Sequence, residues 1–281
     1  MTNNKKIKIH VKNNHWAPGS FPTDAEGEKN FTISKEHLDE ALKNFPEIKK
    51  KVEIFVDWDE DNFKTSMANS DILLAWSFPT TDLKKVAPSL KWIHVISAGV
   101  EHLHPFDWMF DGLVLTNSSG AHFKKAGEYG LMSILMLQNH MTKIITNQKD
   151  KKFVSLFSNP IAGKTIVLVG TGSLGSSMAK LVAPLGANII GVNRRGKSVE
   201  GCSKVITIDK IDTVLSDADF LYLAVPETPE TKNLISKERL NILKPTCGIV
   251  NIGRQSVMDY DVLSEKLKKK EIAAAILDVF T

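Results

Sequence analysis

The chain has 281 residues, 42% hydrophobic and 24% charged, with a net charge of +4 and two cysteines. That length suits two globular domains, with enough core to need no disulfide or metal staple. The positive charge is scattered over separate clusters (Lys5, Lys6 and Lys8; Lys49 to Lys51; Lys268 to Lys270), which argues against a nucleic-acid surface, and no apolar run is long enough to span a bilayer.

In chain order, Ile7 to Val11 alternates like a strand, and Ser34 to Phe45 places His37, Leu38, Ala41 and Leu42 at helical spacing. Short apolar runs follow at Val52 to Val56, Ile72 to Ala75, Trp92 to Ile96 and Val114 to Thr116. They complete a first α/β unit ending near Asn117. A long helix is expected from Ala121 to His140, with a Leu- and Met-rich face that serves the core or a dimer interface. A polar stretch, NQKDKKFVSLFSNPIAG, leads to the next strand.

Thr165 to Val169 is an apolar β-branched run, and Gly170, Gly172 and Gly175 after it spell G-x-G-x-x-G. Met178, Leu181, Val182 and Leu185 then recur at helical spacing, and Ala187 to Val192 forms a second apolar run. Strand, glycine turn, helix and strand together make a dinucleotide-binding unit. Gly170 permits the tight turn, Gly172 lets backbone approach a pyrophosphate, and Gly175 lets helix and strand pack closely. Ser173, Leu174 and Gly175 would offer the pyrophosphate their N–H groups at the helix N-terminus. The alternative is a glycine-rich turn without a ligand. Asn193 ends the second strand where an NAD site carries a carboxylate, and Arg194, Arg195 and Lys197 follow. A carboxylate would repel a 2′-phosphate and an arginine fork would grip it, so NADP(H) is expected over NAD(H). The competing explanation is a solvated basic loop. Strands and helices continue to alternate through Val205 to Ile208, Phe220 to Val225, Gly248 to Ile252 and Ala273 to Phe280. This predicts an α/β fold with a doubly wound parallel sheet. Cys247 lies in an apolar run and reads as a small core residue; the two distant cysteines suit a reducing cytosol. No metal site is expected.

The stretches VLVGTGSLGSSMAKLVAPLGANIIGVNRR, LAVPETPETKNLIS, LKPTCGIVNIGRQSVMDYDVL and AAAILDVF resemble, in this order, the D-isomer-specific 2-hydroxyacid dehydrogenases. LKWIHVISAGVEHL and NSSGAHFKKAGEYGLMSILML in the first half resemble the same family, and Trp76, SAGVEH and NRR are most similar to its glyoxylate/hydroxypyruvate reductase branch. The resemblance implies a flavodoxin-like substrate-binding domain at residues 1–118 and an NAD(P)-binding Rossmann domain at 119–281. It places Val225, Pro226 and Thr231 in a loop beneath the nicotinamide, and Ile252, Gly253 and Arg254 in the N-x-x-R signature. Asp278 would bond the nicotinamide carboxamide. Ser97, Ala98, Gly99, Val100 and Trp76 would meet the substrate, the first four through backbone N–H groups; an ordinary tight turn is the plainer account of them. Arg254 is the expected catalytic cation, gripping the carboxylate and polarising the keto oxygen. The expected reaction is hydride transfer between NADP(H) and a small 2-keto acid, in a cleft that closes between the domains, by a cytoplasmic homodimer.

The family's acid–base Glu and His would fall beyond Thr281. A truncated form of a longer protein is therefore expected, and the rival is a non-catalytic NADP(H)-binding or sensing protein. His94, His102, His104 and His122 each read as surface or packing histidines.

Overall fold

In the computed structural model, residues 5–16, 29 and 31–280 are described. The chain divides into two compact units, Met1–Ala121 and His122–Thr281.

The first unit is built on a parallel five-stranded sheet: β1 (Ile7–Asn13), β2 (Val52–Trp58), β3 (Ile72–Ala75), β4 (Trp92–Val95) and β5 (Val114–Asn117), in the order β2-β1-β3-β4-β5. This is the flavodoxin-like arrangement. Helices α1 (Lys35–Lys43), α2 (Pro46–Lys49), α3 (Phe63–Met67) and α4 (Leu83–Val86) connect the strands. The Ser34 hydroxyl starts α1 by accepting from the His37 N–H at 3.2 Å, and the His37 side chain returns to the Ser34 backbone. Met67, Leu73, Leu83, Ile93 and Val95 form the core. His10 on β1 is fully buried, with Nε2 3.3 Å from Asp57 Oδ2.

The second unit opens with α5 (Phe123–Gln138) and α6 (Met141–Lys149). The expected long helix is α5 alone; it stops before His140, which takes a left-handed conformation at φ 56° and redirects the chain into a second helix that was not expected. Helix α6 also takes in the first residues of the stretch read as a polar connection. Then come β6 (Thr165–Val169), α7 (Ser173–Val182), β7 (Asn188–Asn193), β8 (Lys204–Thr207), α8 (Asp212–Leu215), β9 (Phe220–Leu223), α9 (Lys237–Ile242), β10 (Gly248–Asn251), α10 (Tyr260–Lys268) and β11 (Ala274–Leu277). All six strands run parallel, in the order β11-β10-β9-β6-β7-β8. Counted from β6, this is the six-strand Rossmann order, and its switch point lies between β6 and β9.

Alternate residues of β6 serve opposite faces, as pleating requires. Ile166 and Leu168 pack with Ile134 and Met178 from the helices on one side. Val167 and Val169 pack with Leu215, Leu240 and Leu263 on the other. Both faces are covered, which explains the near-continuous apolar strands. Helix α5 comes close to α7 because small residues line its contact: a Cβ on Gly130 would stand 2.6 Å from Met178 Cγ and from Tyr222 Oη. Leu181 and Leu185, expected in register with the buried face of α7, are instead about two-fifths exposed (40% and 42%). The α-helix ends at Val182, and a tighter turn through Ala183–Leu185 carries Leu185 outward; Leu181 is still on the helix and lies on the side toward α5, where a Cβ on Gly127 would meet its Cδ1 at 3.1 Å.

Candidate functional site

The glycine turn lies at the switch point of the second unit, where the strand order leaves a crevice at the carboxyl ends of β6 and β9. Gly170 follows β6 at φ +95°, and its N–H donates to Val192 O at 2.9 Å. A Cβ here would lie 2.5 Å from Ala224 O. Gly172 is the N-cap of α7; a Cβ there would project into open space, with nothing within 4 Å. That space is the cradle a pyrophosphate needs. A Cβ on Gly175 would run into the Gly170 carbonyl, so only glycine lets helix and turn close on each other. No side chain caps α7. Its first-turn N–H groups, from Ser173, Leu174 and Gly175, are therefore left for an outside anion.

A pocket of ≈ 620 Å³ extends from this turn, lined among others by Gly170, Gly172, Asn193, Arg194, Arg195, Val225, Pro226 and Thr231. Eight residues singled out in the sequence are thus brought to one cavity. The Asn193 side chain braces two turns. Its amide nitrogen donates to Thr171 Oγ1 at 2.9 Å and to Lys197 O at 3.0 Å, and its oxygen accepts from the Arg195 N–H at 3.0 Å. It latches the arginine turn to the glycine turn, leaving the exposed Arg194 and Arg195 guanidinium groups to face solvent. Thr231 is likewise structural. Its hydroxyl donates to Pro226 O at 2.6 Å and accepts from the Thr228 N–H at 2.8 Å, which folds the Pro226–Thr231 loop into the pocket wall. Glu230, also on the wall, is held below the usual carboxylate range, first by the Thr228 hydroxyl and its own backbone N–H, with a smaller contribution from Arg194.

Ile252, Gly253, Arg254 and Asp278 occupy the same carboxyl edge of the sheet, beyond the residues lining this pocket. Asn251, the last residue of β10, is fully buried. Its side-chain oxygen accepts from the Gly253 N–H at 3.0 Å, and its nitrogen donates to Arg254 O at 3.0 Å and Tyr260 Oη at 3.1 Å. A Cβ on Gly253 would collide with Val225 O, so the loop that presents Arg254 needs glycine at this close approach. Asp278 leaves β11 with its N–H bonded to Asn251 O at 3.0 Å. Burial, and then the adjoining Asp278 carboxylate, push the Tyr129 hydroxyl of α5 up. Residues missed by sequence reasoning are Thr171, Tyr129 and Tyr260. Thr171 meets its partner 22 positions away and Tyr260 meets its partners 9 and 19 positions away, none at a helix or strand period, and Tyr129 meets Asp278 from another element, so no local spacing betrays them.

In the first unit, Ser97–Val100 follow β4 with every carbonyl engaged. Ser97 O accepts from the Ser118 N–H at 3.0 Å, Ala98 O from Asn117 Nδ2 at 2.7 Å, Gly99 O from the Ser97 hydroxyl at 2.6 Å, and Val100 O from the Leu103 N–H at 3.0 Å. None of the four has a positive φ. The loop is a side-chain-braced turn rather than a nest of alternating handedness. Trp76 follows β3 in an aromatic group with Phe31 at 5.1 Å, Trp16 at 5.9 Å and the stacked His102 at 5.9 Å.

A family model for the D-isomer specific 2-hydroxyacid dehydrogenase NAD binding domain matches residues 131–281. The chain belongs to this family. A D-3-phosphoglycerate dehydrogenase from Synechocystis sp. is 28% identical over 207 residues, 72% of this chain and 37% of that protein. A glyoxylate reductase from Thermofilum pendens is 33% identical over 207 residues, 71% of this chain and 61% of that protein. The chain thus spans between about a third and three-fifths of the length of these curated relatives. Among solved structures, an NADPH-dependent glyoxylate/hydroxypyruvate reductase from Sinorhizobium meliloti, in complex with NADP and sulfate, superposes with a TM-score of 0.75 at 22% identity, covering 98% of this chain and 81% of that one. That likeness is one of fold.

Within this dehydrogenase frame, Cys247 is fully buried and its thiol is pushed up to about 12, chiefly by burial, which leaves no thiolate for chemistry. His94 bridges Thr116 Oγ1 at 2.9 Å and Ser118 Oγ at 3.2 Å, and His102 Nε2 is bonded to Trp76 O at 2.8 Å. Both have packing partners of their own. No helix among the described residues is long and apolar enough to cross a membrane.

Proposed function

We propose that this chain binds NADP(H) in preference to NAD(H) and serves the reduction of a small 2-keto acid of the glyoxylate or hydroxypyruvate kind. The observation that carries this reading is Arg254, held by the Asn251 bonds at the end of β10, on the sheet edge that also bears the glycine turn. Bound NADPH would supply a hydride to the keto carbon. The Arg254 fork would hold the carboxylate and draw negative charge onto the keto oxygen as it becomes an alkoxide. A proton on that oxygen completes the 2-hydroxy acid. Asp278 would accept from the carboxamide NH₂ and fix which ring face is presented. The N–H groups of Ser173, Leu174 and Gly175 would receive the pyrophosphate, and Arg194 and Arg195 the 2′-phosphate. The preference for NADP(H) rests on these arginines and on the absence of a carboxylate at position 193. The first unit is assigned the substrate role, through the Ser97–Val100 backbone and Trp76.

Two copies are proposed to associate through the α6 side of the second unit. Phe153 is 96% exposed there and lines one groove with Ile144 at 39% and Val154 at 48%, an apolar group that a monomer would leave in water. Adding glyoxylate or hydroxypyruvate to the NADPH-loaded chain, and following keto-acid binding by NADPH fluorescence and any turnover by NADPH absorbance, tests the reading. Keto-acid binding that disappears in Arg254→Ala while NADPH still binds supports it. Binding of NADPH without keto-acid binding or turnover would replace it with a nucleotide-binding role.

A further inference from the structure

Asn251 has two amide hydrogens, and both are spent: one on Arg254 O and one on Tyr260 Oη. Tyr260 Oη therefore acts as an acceptor toward β10, and its own hydrogen goes to Val279 O at 3.1 Å. One hydroxyl thus joins the loop that presents Arg254 to the segment that follows Asp278. The ring itself is fixed. Tyr260 is the first residue of α10, whose start is pinned by Asp259 Oδ1 accepting from the Val262 N–H at 3.0 Å. Its ring packs edge-on against Phe280 with centroids 6.2 Å apart. A phenylalanine here would keep the ring and the helix start but leave a fully buried amide hydrogen of Asn251 without an acceptor. The amide would then have to rotate or shift, and the Arg254 carbonyl depends on its other hydrogen.

We infer that Tyr260 is a positioning residue that sets Arg254 relative to Asp278, through the Asn251 amide on one side and the Val279 carbonyl on the other. This rests on the reading of Arg254 as the carboxylate-binding group. Tyr260 touches neither substrate nor nucleotide in this scheme. Its effect is geometric, and small displacements of a clamp are costly: a shift of about 1 Å can lower rate about a hundredfold.

The test uses the 281-residue chain, Tyr260→Phe, and oxamate, an unreactive 2-keto acid isostere, as the probe. NADPH affinity is read by fluorescence, and oxamate affinity is read on the NADPH-loaded protein. The expected result is an oxamate affinity lower by about tenfold with NADPH affinity changed by less than about threefold, because the nucleotide's phosphate contacts on the glycine and arginine turns are untouched. In an Arg254→Lys background, adding Tyr260→Phe should change oxamate affinity little further, since the clamp it aligns is already lost. Equal oxamate binding by Tyr260→Phe overturns the inference. So does a loss that simply adds to that of Arg254→Lys, which would mark Tyr260 as a general structural residue. A wild-type chain that binds NADPH but not oxamate refutes the keto-acid reading itself, and this inference with it.

Discussion

Asn193→Asp tests the cofactor assignment most directly, because one atom changes. The nitrogen that donates to Thr171 Oγ1 at 2.9 Å and Lys197 O at 3.0 Å becomes an oxygen. The bond to Lys197 O vanishes and a carboxylate oxygen then faces that carbonyl, while the Thr171 hydroxyl can turn and donate to the new oxygen. The bond from the Arg195 N–H survives, since it already ends on an oxygen. One lost neutral bond contributes about 0.5–1.5 kcal/mol net, and the latch weakens by about that much. The new negative charge adds repulsion toward a 2′-phosphate of about 1 kcal/mol for charges about 4 Å apart in water. Repulsion alone raises the NADPH Kd about fivefold; with the latch loss fully expressed the rise reaches about sixtyfold, at about 1.4 kcal/mol per decade. NADH should bind as well as before or better, because the carboxylate can accept from a ribose 2′-hydroxyl. Fluorescence titration of wild type and variant with both nucleotides measures the ratio of the two Kd values. A ratio unchanged within about twofold, against the decade or more expected from these terms, would refute both the latch and the phosphate assignment.

Three further outcomes are expected. Gly175→Ala forces a Cβ into the Gly170 carbonyl; it should cost about 1–3 kcal/mol in a urea melt and abolish nucleotide binding, and wild-type affinity would show that the turn can relax. A thiol reagent should modify the half-buried Cys202 in the folded protein and reach Cys247 only on unfolding, as thiol counting along a urea series would show. His10 carries a pH dependence: burial, the largest influence, holds its pKa below 6.5, Asp57 pulls it up and Lys12 pushes it down. The unfolded chain then binds a proton that the folded unit does not, so the stability is present above 6.5 and lost as pH falls below it. His10→Phe should flatten the fall in Tm between about pH 7 and about pH 5, and an unchanged slope would assign that loss to other groups.

Much of the fold was legible because parallel strands buried on both faces announce themselves as apolar runs. Thr165–Val169 and Ile72–Ala75 have the bounds their composition implies. The glycine turn was legible for a related reason: Gly170, Gly172 and Gly175 answer three separate steric demands within six residues. Helix α6 was not legible. Its sequence, MTKIITNQK, is mostly polar and buries no residue, and the break before it falls on His140 rather than on glycine or proline. The direction of Leu185 depended on where α7 stops, which periodicity does not encode. At the site, the residue types at 193 and 251 could be read, but the partners of their amides could not. Thr171, Lys197 and Tyr260 meet them only once the sheet has brought separate loops to one edge.

All six strands of the nucleotide sheet come from one uninterrupted stretch, His122–Thr281, and its opening helix α5 covers the face on which the fingerprint helix lies. No described residue of the preceding 121 is woven into that sheet. The nucleotide half is therefore a cassette. Under the substrate role proposed for the first unit, substrate range can diverge by changes upstream of position 122 without reopening the packing behind the glycine turn, because a self-contained core tolerates change beside it.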